Sequence, residues 1–245
     1  AAMGKGTDWQ DAIFRTAPVE NYDLAFSGGD TATRYYLSGA FLNQTGVVIG
    51  TDLKRGSVRL NLDRDVSSRL RIGNRLTLSR SDGSVLPNGG NGQEVSSVLL
   101  NAILAPPTIP VYNAAGEYNT DFNFLTGRPF SNPVATALGI TNTETDARAI
   151  GNLFGEYDII RGLTFRTSIG GDYLTSTQNF YSPNYTLPGR NFGGQGSRGQ
   201  LSATTWLNEN TLHYNRAFAN VHTLDLLGGL TFQRSNTENV SGTAQ

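Results

Sequence analysis

The stretch LTFRTSIGGDY, residues 163–173, decides how the chain is read. Every second residue from its start, Leu163, Phe165, Thr167, Ile169, Gly171 and Tyr173, is apolar, aromatic or small, while Thr164, Arg166, Ser168, Gly170 and Asp172 stand between them. A period of two is the repeat of a β-strand, whose successive side chains leave opposite faces. One face of this strand is apolar, and the other carries an arginine and an aspartate.

Outward from that stretch, the same alternation recurs at eight places in all. Before it come Tyr22, Leu24 and Phe26, then Tyr35, Leu37 and Phe41, then Val58, Leu60 and Leu62, then Leu70, Ile72, Leu76 and Leu78, then Leu153, Gly155, Tyr157 and Ile159. Leu224, Leu226, Leu230 and Phe232 close the series. Only residues 204–215 break the rule, because Asn208 and Asn210 share the parity of Trp206, Leu212 and Tyr214. The connections fall into two alternating classes: tight ones at residues 28–32, 65–69, 160–162 and 219–222, and long ones at 43–52, 81–148 and 176–201. The longest holds NGGNG, a predicted helix over residues 94–105 and the string PPTIP.

Composition narrows the class. Across 245 residues only 16% are charged and 38% hydrophobic, and no apolar run approaches the ~20 residues that a spanning helix needs. A membrane reading must therefore use strands, which cross in ~9–11 residues. The net charge of −1 leaves no electrostatic footprint for a nucleic-acid backbone. Absence of cysteine removes disulfide frameworks, thiol catalysis and cysteine-ligated zinc. The N-terminal residues show neither the apolar segment nor the cleavage pattern of a secretory signal.

Short turns alternating with long loops between alternating strands are the pattern of an outer-membrane β-barrel. A soluble antiparallel sandwich also alternates with one face buried. The polar set favours the barrel: Arg34, Arg59, Arg71, Arg75, Glu156, Asp158, Arg166 and Asp172 share one parity, several of them near mid-strand, as a large wet interior requires. The expected fold is all-β: an antiparallel up-and-down sheet of eight strands with Leu60, Leu76, Phe165, Ile169, Leu226 and Leu230 on its convex, lipid-facing side.

Specific strings resemble one family. TDWQDAIFRTAPVENYDLAFSGGDTATRYYLSGAFLNQTGVVIGTDLKR (residues 7–55), LAPPTIPVYNAAGEY (104–118), NPVA (132–135), GNLFGEYDIIRGLTFRTSIGGDY (151–173) and WLNENTLHYN (206–215) resemble, in order, the barrel of SusC/RagA-type TonB-dependent outer-membrane transporters. The resemblance implies a 22-stranded transmembrane barrel with long extracellular loops, an N-terminal plug, contact with the TonB complex through an upstream segment, and a SusD-like surface lipoprotein over the mouth. On that alignment the chain holds the second to ninth barrel strands as an incomplete sheet with open edges, and plug and closing strands lie outside it. The function implied is import of oligosaccharides or peptides across the outer membrane, with lipid around the wall, no enzyme activity and no cofactor. A passive or scaffolding barrel and a soluble sugar-binding β domain are the alternatives.

Other signals are weaker. Gly194, Gly196 and Gly199 have dinucleotide-loop spacing, but in a polar loop without the required strand and helix. His213 and His222 lack metal-ligand spacing. Glu156 and Asp158 share a strand face, as a glycosidase pair might, although pairing with lumen arginines fits the pattern better. Asp121 and Asn123 are too few for a calcium site. The candidate substrate or partner contacts are the loop aromatics Tyr112, Tyr118, Phe122, Phe124, Tyr181, Tyr185 and Phe192, in segments 106–130 and 176–198; packing within the loops is their plainer role.

Overall fold

The structure, a computed structural model, describes residues 5–86, 97–120, 131–218 and 221–245. Its eight strands are β1 (Val19–Gly29), β2 (Thr33–Thr45), β3 (Asp52–Asp65), β4 (Leu70–Ser84), β5 (Thr141–Ile160), β6 (Leu163–Pro183), β7 (Gly194–Phe218) and β8 (His222–Ala244). They form one sheet in chain order, every neighbouring pair antiparallel, with β1 and β8 at its two edges. This is the expected up-and-down topology.

Local chemistry closes the tight turns. Asp30 Oδ1 accepts from the Ala32 and Thr33 backbone N–H groups at 2.7 and 2.6 Å, and Ser67 Oγ does the same for Arg69 and Leu70 at 3.2 and 3.1 Å. Gly162 has φ of 87°, where a side chain is strained, and a Cβ there would lie 2.4 Å from the Asn215 carbonyl oxygen. Of the fourth tight connection, residues 219 and 220 lie outside the described residues.

Register confirms the two faces. One row across the sheet pairs Leu37 with Leu60, Leu60 with Leu76, Leu76 with Gly151, Gly151 with Gly171, and Gly171 with Trp206. The next pairs Leu24 with Gly39, then Val58, Leu78, Ala149 and Tyr173. Leu60, Leu76, Phe165, Ile169, Leu226 and Leu230 share this apolar face, and none of the described residues covers it: Ile169, on a strand paired on both sides, is 63% exposed. The irregular strand is explained here. Thr167 Oγ1 donates to Asn210 Oδ1 at 2.7 Å, Asn210 Nδ2 to Asn208 Oδ1 at 2.7 Å, and Asn208 Nδ2 to the Ser168 carbonyl at 2.8 Å. The two amides satisfy themselves within the sheet, which lets them stand on an apolar face.

The strands run well past the alternating segments. β5 to β8 contain 20, 21, 25 and 23 residues, about twice what crosses a bilayer. The expected loop at 176–201 shrinks accordingly to ten residues between β6 and β7, and Gly194, Gly196 and Gly199 open strand β7 rather than lying in a loop. The cause is compositional: TSTQNFYS and GQGSRGQLSA are polar on both parities, so the ladder continues where the apolar signal has ended.

Conventional burial occurs elsewhere. Three short helices, α1 (Trp9–Ile13), α2 (Val98–Leu104) and α3 (Pro133–Gly139), gather over the long-connection side, where Trp9, Ile13, Val48, Val98, Ala102, Ala105, Val134 and Ala137 form the buried cluster. The helix expected over 94–105 is present as α2, with Ser97 as its N-cap; residues 94–96 lie outside the described residues. The sequence reading did not anticipate α1 and α3, each under two turns and without measurable periodicity.

Candidate functional site

The cap is built by the strings that carry the family resemblance. In DWQDAIFR, Asp8 caps α1 by accepting from Gln10 and Asp11 N–H, Trp9 Nε1 donates to the Pro106 carbonyl at 3.0 Å, and Ile13 is fully buried. Arg15 reaches the Gly46 and Thr51 carbonyls at 3.0 Å each, bracing the β2–β3 connection. Gly50, at φ of 78°, lets that connection touch α3, since a Cβ would lie 2.0 Å from the Ala137 carbonyl oxygen.

Asn132 is the hub. Its Oδ1 accepts from Val134 and Ala135 N–H at 3.0 and 3.2 Å, capping α3 ahead of Pro133. Its Nδ2 donates to the Val111 and Asn119 carbonyls at 2.8 and 3.1 Å. One buried amide thus fixes both α3 and segment 106–120, and every polar atom of its side chain has a partner. Sequence reasoning quoted NPVA without seeing this, although an Asn followed by Pro is the ordinary signature of a helix start.

On this frame the predicted aromatics divide. Tyr112, Tyr118 and Tyr185 come together: ring centroids are 5.3 Å apart for the first pair and 5.8 Å for Tyr118 and Tyr185, at interplanar angles of 27° and 29°. Tyr112 and Tyr185 are 49% and 41% exposed. The Tyr118 hydroxyl is pushed above its usual range, first by burial and then by its two ring neighbours. Arg190 donates to the Thr120 carbonyl at 3.2 Å, tying the β6–β7 connection to the same segment. Tyr181 is not in the stack but on β6, and Phe192 is exposed on the 3-10 turn Arg190–Phe192. Phe122 and Phe124, like Asp121 and Asn123, lie outside the described residues.

The opposite face of the sheet carries an ion-pair ladder. Arg34 and Arg71 approach Asp65 at 3.9 and 2.9 Å, Arg71 and Arg166 both reach Glu156 at 3.3 Å, and Arg75 holds both oxygens of Asp63 at 3.0 and 2.8 Å. Arg166 also stands 4.3 Å over the Phe154 ring, and that ring fills the space above Gly73, its cross-strand partner. Arg148 pairs with Asp172, and Asp158 accepts from Thr164 at 2.6 Å. Glu156 is thus bridged by two arginines, as expected of a lumen carboxylate. His213 meets Asp225 at 3.1 Å and approaches no metal-ligand set; among the described residues no three metal-ligating side chains come together. Outside the strands, Asp30 is held below the usual carboxylate range by the backbone N–H groups of Ala32 and Thr33.

No protein-family model matches the chain. It is 34% identical over 234 residues to TonB-dependent receptor P3 of Formosa agariphila, covering 95% of this chain and 23% of that protein. It is 26% identical over 213 residues to TonB-dependent receptor SusC of Bacteroides thetaiotaomicron, covering 78% and 20%. Among solved structures, the RagAB peptide importer in its closed-closed state superposes with a TM-score of 0.79 at 22% identity, over 98% of this chain and 27% of that one. The chain therefore spans about a quarter of the length of the relatives it matches. These relatives are named as receptors and importers, not as enzymes. The wall with its one uncovered apolar face, the cap built from the shared strings and the likeness along nearly the whole chain make it a member of the SusC/RagA-type TonB-dependent receptors, as a stretch of their β-barrel.

Proposed function

We propose that the chain forms wall strands and part of the extracellular cap of a 22-stranded outer-membrane transporter, which imports oligosaccharides or short peptides by TonB-driven transport in partnership with a SusD-like surface lipoprotein. The observation that carries this reading is the continuous apolar face across eight strands, exposed to its surroundings, with the ion-paired face behind it. A soluble sugar-binding sandwich would need a second layer over that face. Lipid supplies the cover instead, and the arginines with cross-strand acidic partners, Arg34, Arg71, Arg75, Arg148 and Arg166, stand on the other face.

The stacked rings of Tyr112, Tyr118 and Tyr185 support cargo or lipoprotein contact at the long-connection side. Rigid aromatic faces suit a sugar ring or an apolar peptide side chain, while neighbouring backbone groups supply hydrogen bonds. Tyr181 and Phe192 flank that area as further contacts. The test uses the intact protein in its native cell. Uptake of labelled oligosaccharides and of labelled peptides is measured with and without an energised TonB system, and co-purified lipoprotein is identified. TonB-dependent uptake of one class, reduced by Tyr112→Ala with Tyr185→Ala while the barrel stays folded, is the expected result. Uptake that is indifferent to TonB would leave a passive barrel.

A further inference from the structure

The polar face of the sheet changes character along its height. Toward the tight turns its charges are matched: Arg34 and Arg71 meet Asp65, Arg71 and Arg166 meet Glu156, and Arg75 holds Asp63. Arg148, on β5, has Asp172. Strand β3 places two more arginines on this face, Arg55 and Arg59, nearer the long connections, and both are exposed. Neither forms an ion pair or a side-chain hydrogen bond among the described residues.

Register explains why these two stay unmatched. Arg55 stands between Leu42 and Ser81, and Arg59 between Ser38 and Thr77, so no carboxylate lies directly across either neighbouring strand. Asp63, four residues along β3 from Arg59, is held through both oxygens by Arg75. Asp23, Glu144 and Asp146 share the face but are two strands from β3, about 10 Å away in the sheet. The floor between the two arginines is made of short side chains, Ala40, Ser57 and Ser79 in one row. Two long cations therefore rise about 13 Å apart, four residues of strand, above small residues. Tyr36, 37% exposed, is diagonal to Arg59 on the same face.

We propose that Arg55 and Arg59 form a docking site for carboxylate-bearing cargo on the inner wall, with one carboxylate on each guanidinium. A guanidinium is a planar fork of donors that matches a carboxylate in a bidentate pair. Elsewhere on this face the wall's own acids fill that fork, and at these two positions they do not. The hydroxyls of Ser57 and Thr77 can both donate and accept, which suits the hydroxyl or amide groups of a cargo, and the Tyr36 ring offers an apolar face beside Arg59. The inference rests on the transporter reading above, in which cargo enters from the long-connection side, and it narrows that cargo to anionic molecules. Sugar acids and acidic peptides carry the same group, and the experiment separates them.

With the intact protein, TonB-dependent uptake is compared within two matched pairs of labelled probes: an oligogalacturonate against its carboxyl-reduced form, and a glutamate-containing peptide against the same peptide with glutamine. The acidic member of one pair is expected to enter faster, and that pair identifies the source of the carboxylate. Arg55→Gln and Arg59→Gln should each lower the acid-to-neutral ratio about tenfold, the loss of one charge-assisted pair, while the barrel keeps its heat-resistant fold. Arg59→Lys keeps the charge without the fork and should retain part of the ratio. Equal uptake of acidic and neutral members by the wild type overturns the proposal. So does a ratio that survives the double Gln variant. A double variant that loses acidic and neutral uptake alike also overturns it, and would assign the arginines to a protein neighbour inside the barrel. Each of these outcomes leaves the transporter reading standing, whereas no TonB-dependent uptake of any probe sinks both.

Discussion

The wall and the cap use the same kinds of residue in opposite ways. In the cap, Ile13 and Val98 are 0% and 1% exposed and every helix packs against another element. In the wall, Ile169 and Leu153 remain 63% and 58% exposed, although their strands are paired on both sides. The cap therefore gains hydrophobic stabilisation from its own chain. Between its two edge strands the wall's hydrogen bonds are internal, but its apolar side chains are covered only by what surrounds the protein. A sheet and a core are thus separable, and burial alone would have pointed to the wrong region as the body of the fold.

The sharpest way to break this comparison is to place a charge on each face. Ile169→Arg in the intact protein should destabilise the bilayer-embedded barrel by ~2–4 kcal/mol, read as a lower denaturant midpoint. Thr205→Arg, on the other face beside Asp172, should change it little. Equal effects would erase the distinction between the faces. The next largest effect belongs to the cap: Asn132→Ala removes a helix cap and leaves two carbonyls without their donor, a loss of ~1–3 kcal/mol. Limited proteolysis within residues 106–120 should accelerate while the barrel midpoint stays put. If the midpoint falls in parallel, cap and wall are one cooperative unit. Trp9→Phe, which keeps one aromatic ring but loses the bond to the Pro106 carbonyl and part of the buried volume, should cost ~1–2 kcal/mol in the same protease assay.

The smallest effect is a pH dependence. The Tyr118 hydroxyl titrates above its ordinary range because burial disfavours the phenolate. Its contribution to cap stability is fully present below the ordinary tyrosine value and is lost as pH rises through the raised one. Phenolate absorbance of Tyr118→Phe should lack one late-titrating tyrosine that the wild type shows. No difference between the two titrations would place Tyr118 in water.

What was legible in the sequence follows from what alternation can encode. It assigns a face wherever one side is apolar, so Leu163 to Tyr173 gave strand, parity and ion-pair face together. It falls silent where both faces are wet, and the outer thirds of β5 to β7 read as loop for that reason. Asn208 and Asn210 looked like an error in the pattern until their mutual hydrogen bond was seen. The ring stack was harder still: Tyr112 and Tyr118 lie in one connection and Tyr185 in another, and only the fold brings them within 6 Å. Tyr181 and Phe192 looked identical to them in sequence and sit elsewhere.

The unequal strand lengths have a consequence for the shape of the mouth. β1 contains 11 residues and β7 contains 25, and their lower ends are aligned by the tight turns. At ~3.3 Å of rise per residue and a tilt of ~45°, the difference in height is on the order of 30 Å. The rim is therefore a ramp, low over β1 to β4 and tall over β5 to β8. The low stretch is where the cap sits, since Val48 and Gly50 of the β2–β3 connection pack against α1 and α3; packed helices raise the rim on one side and bare hydrogen-bonded strand raises it on the other.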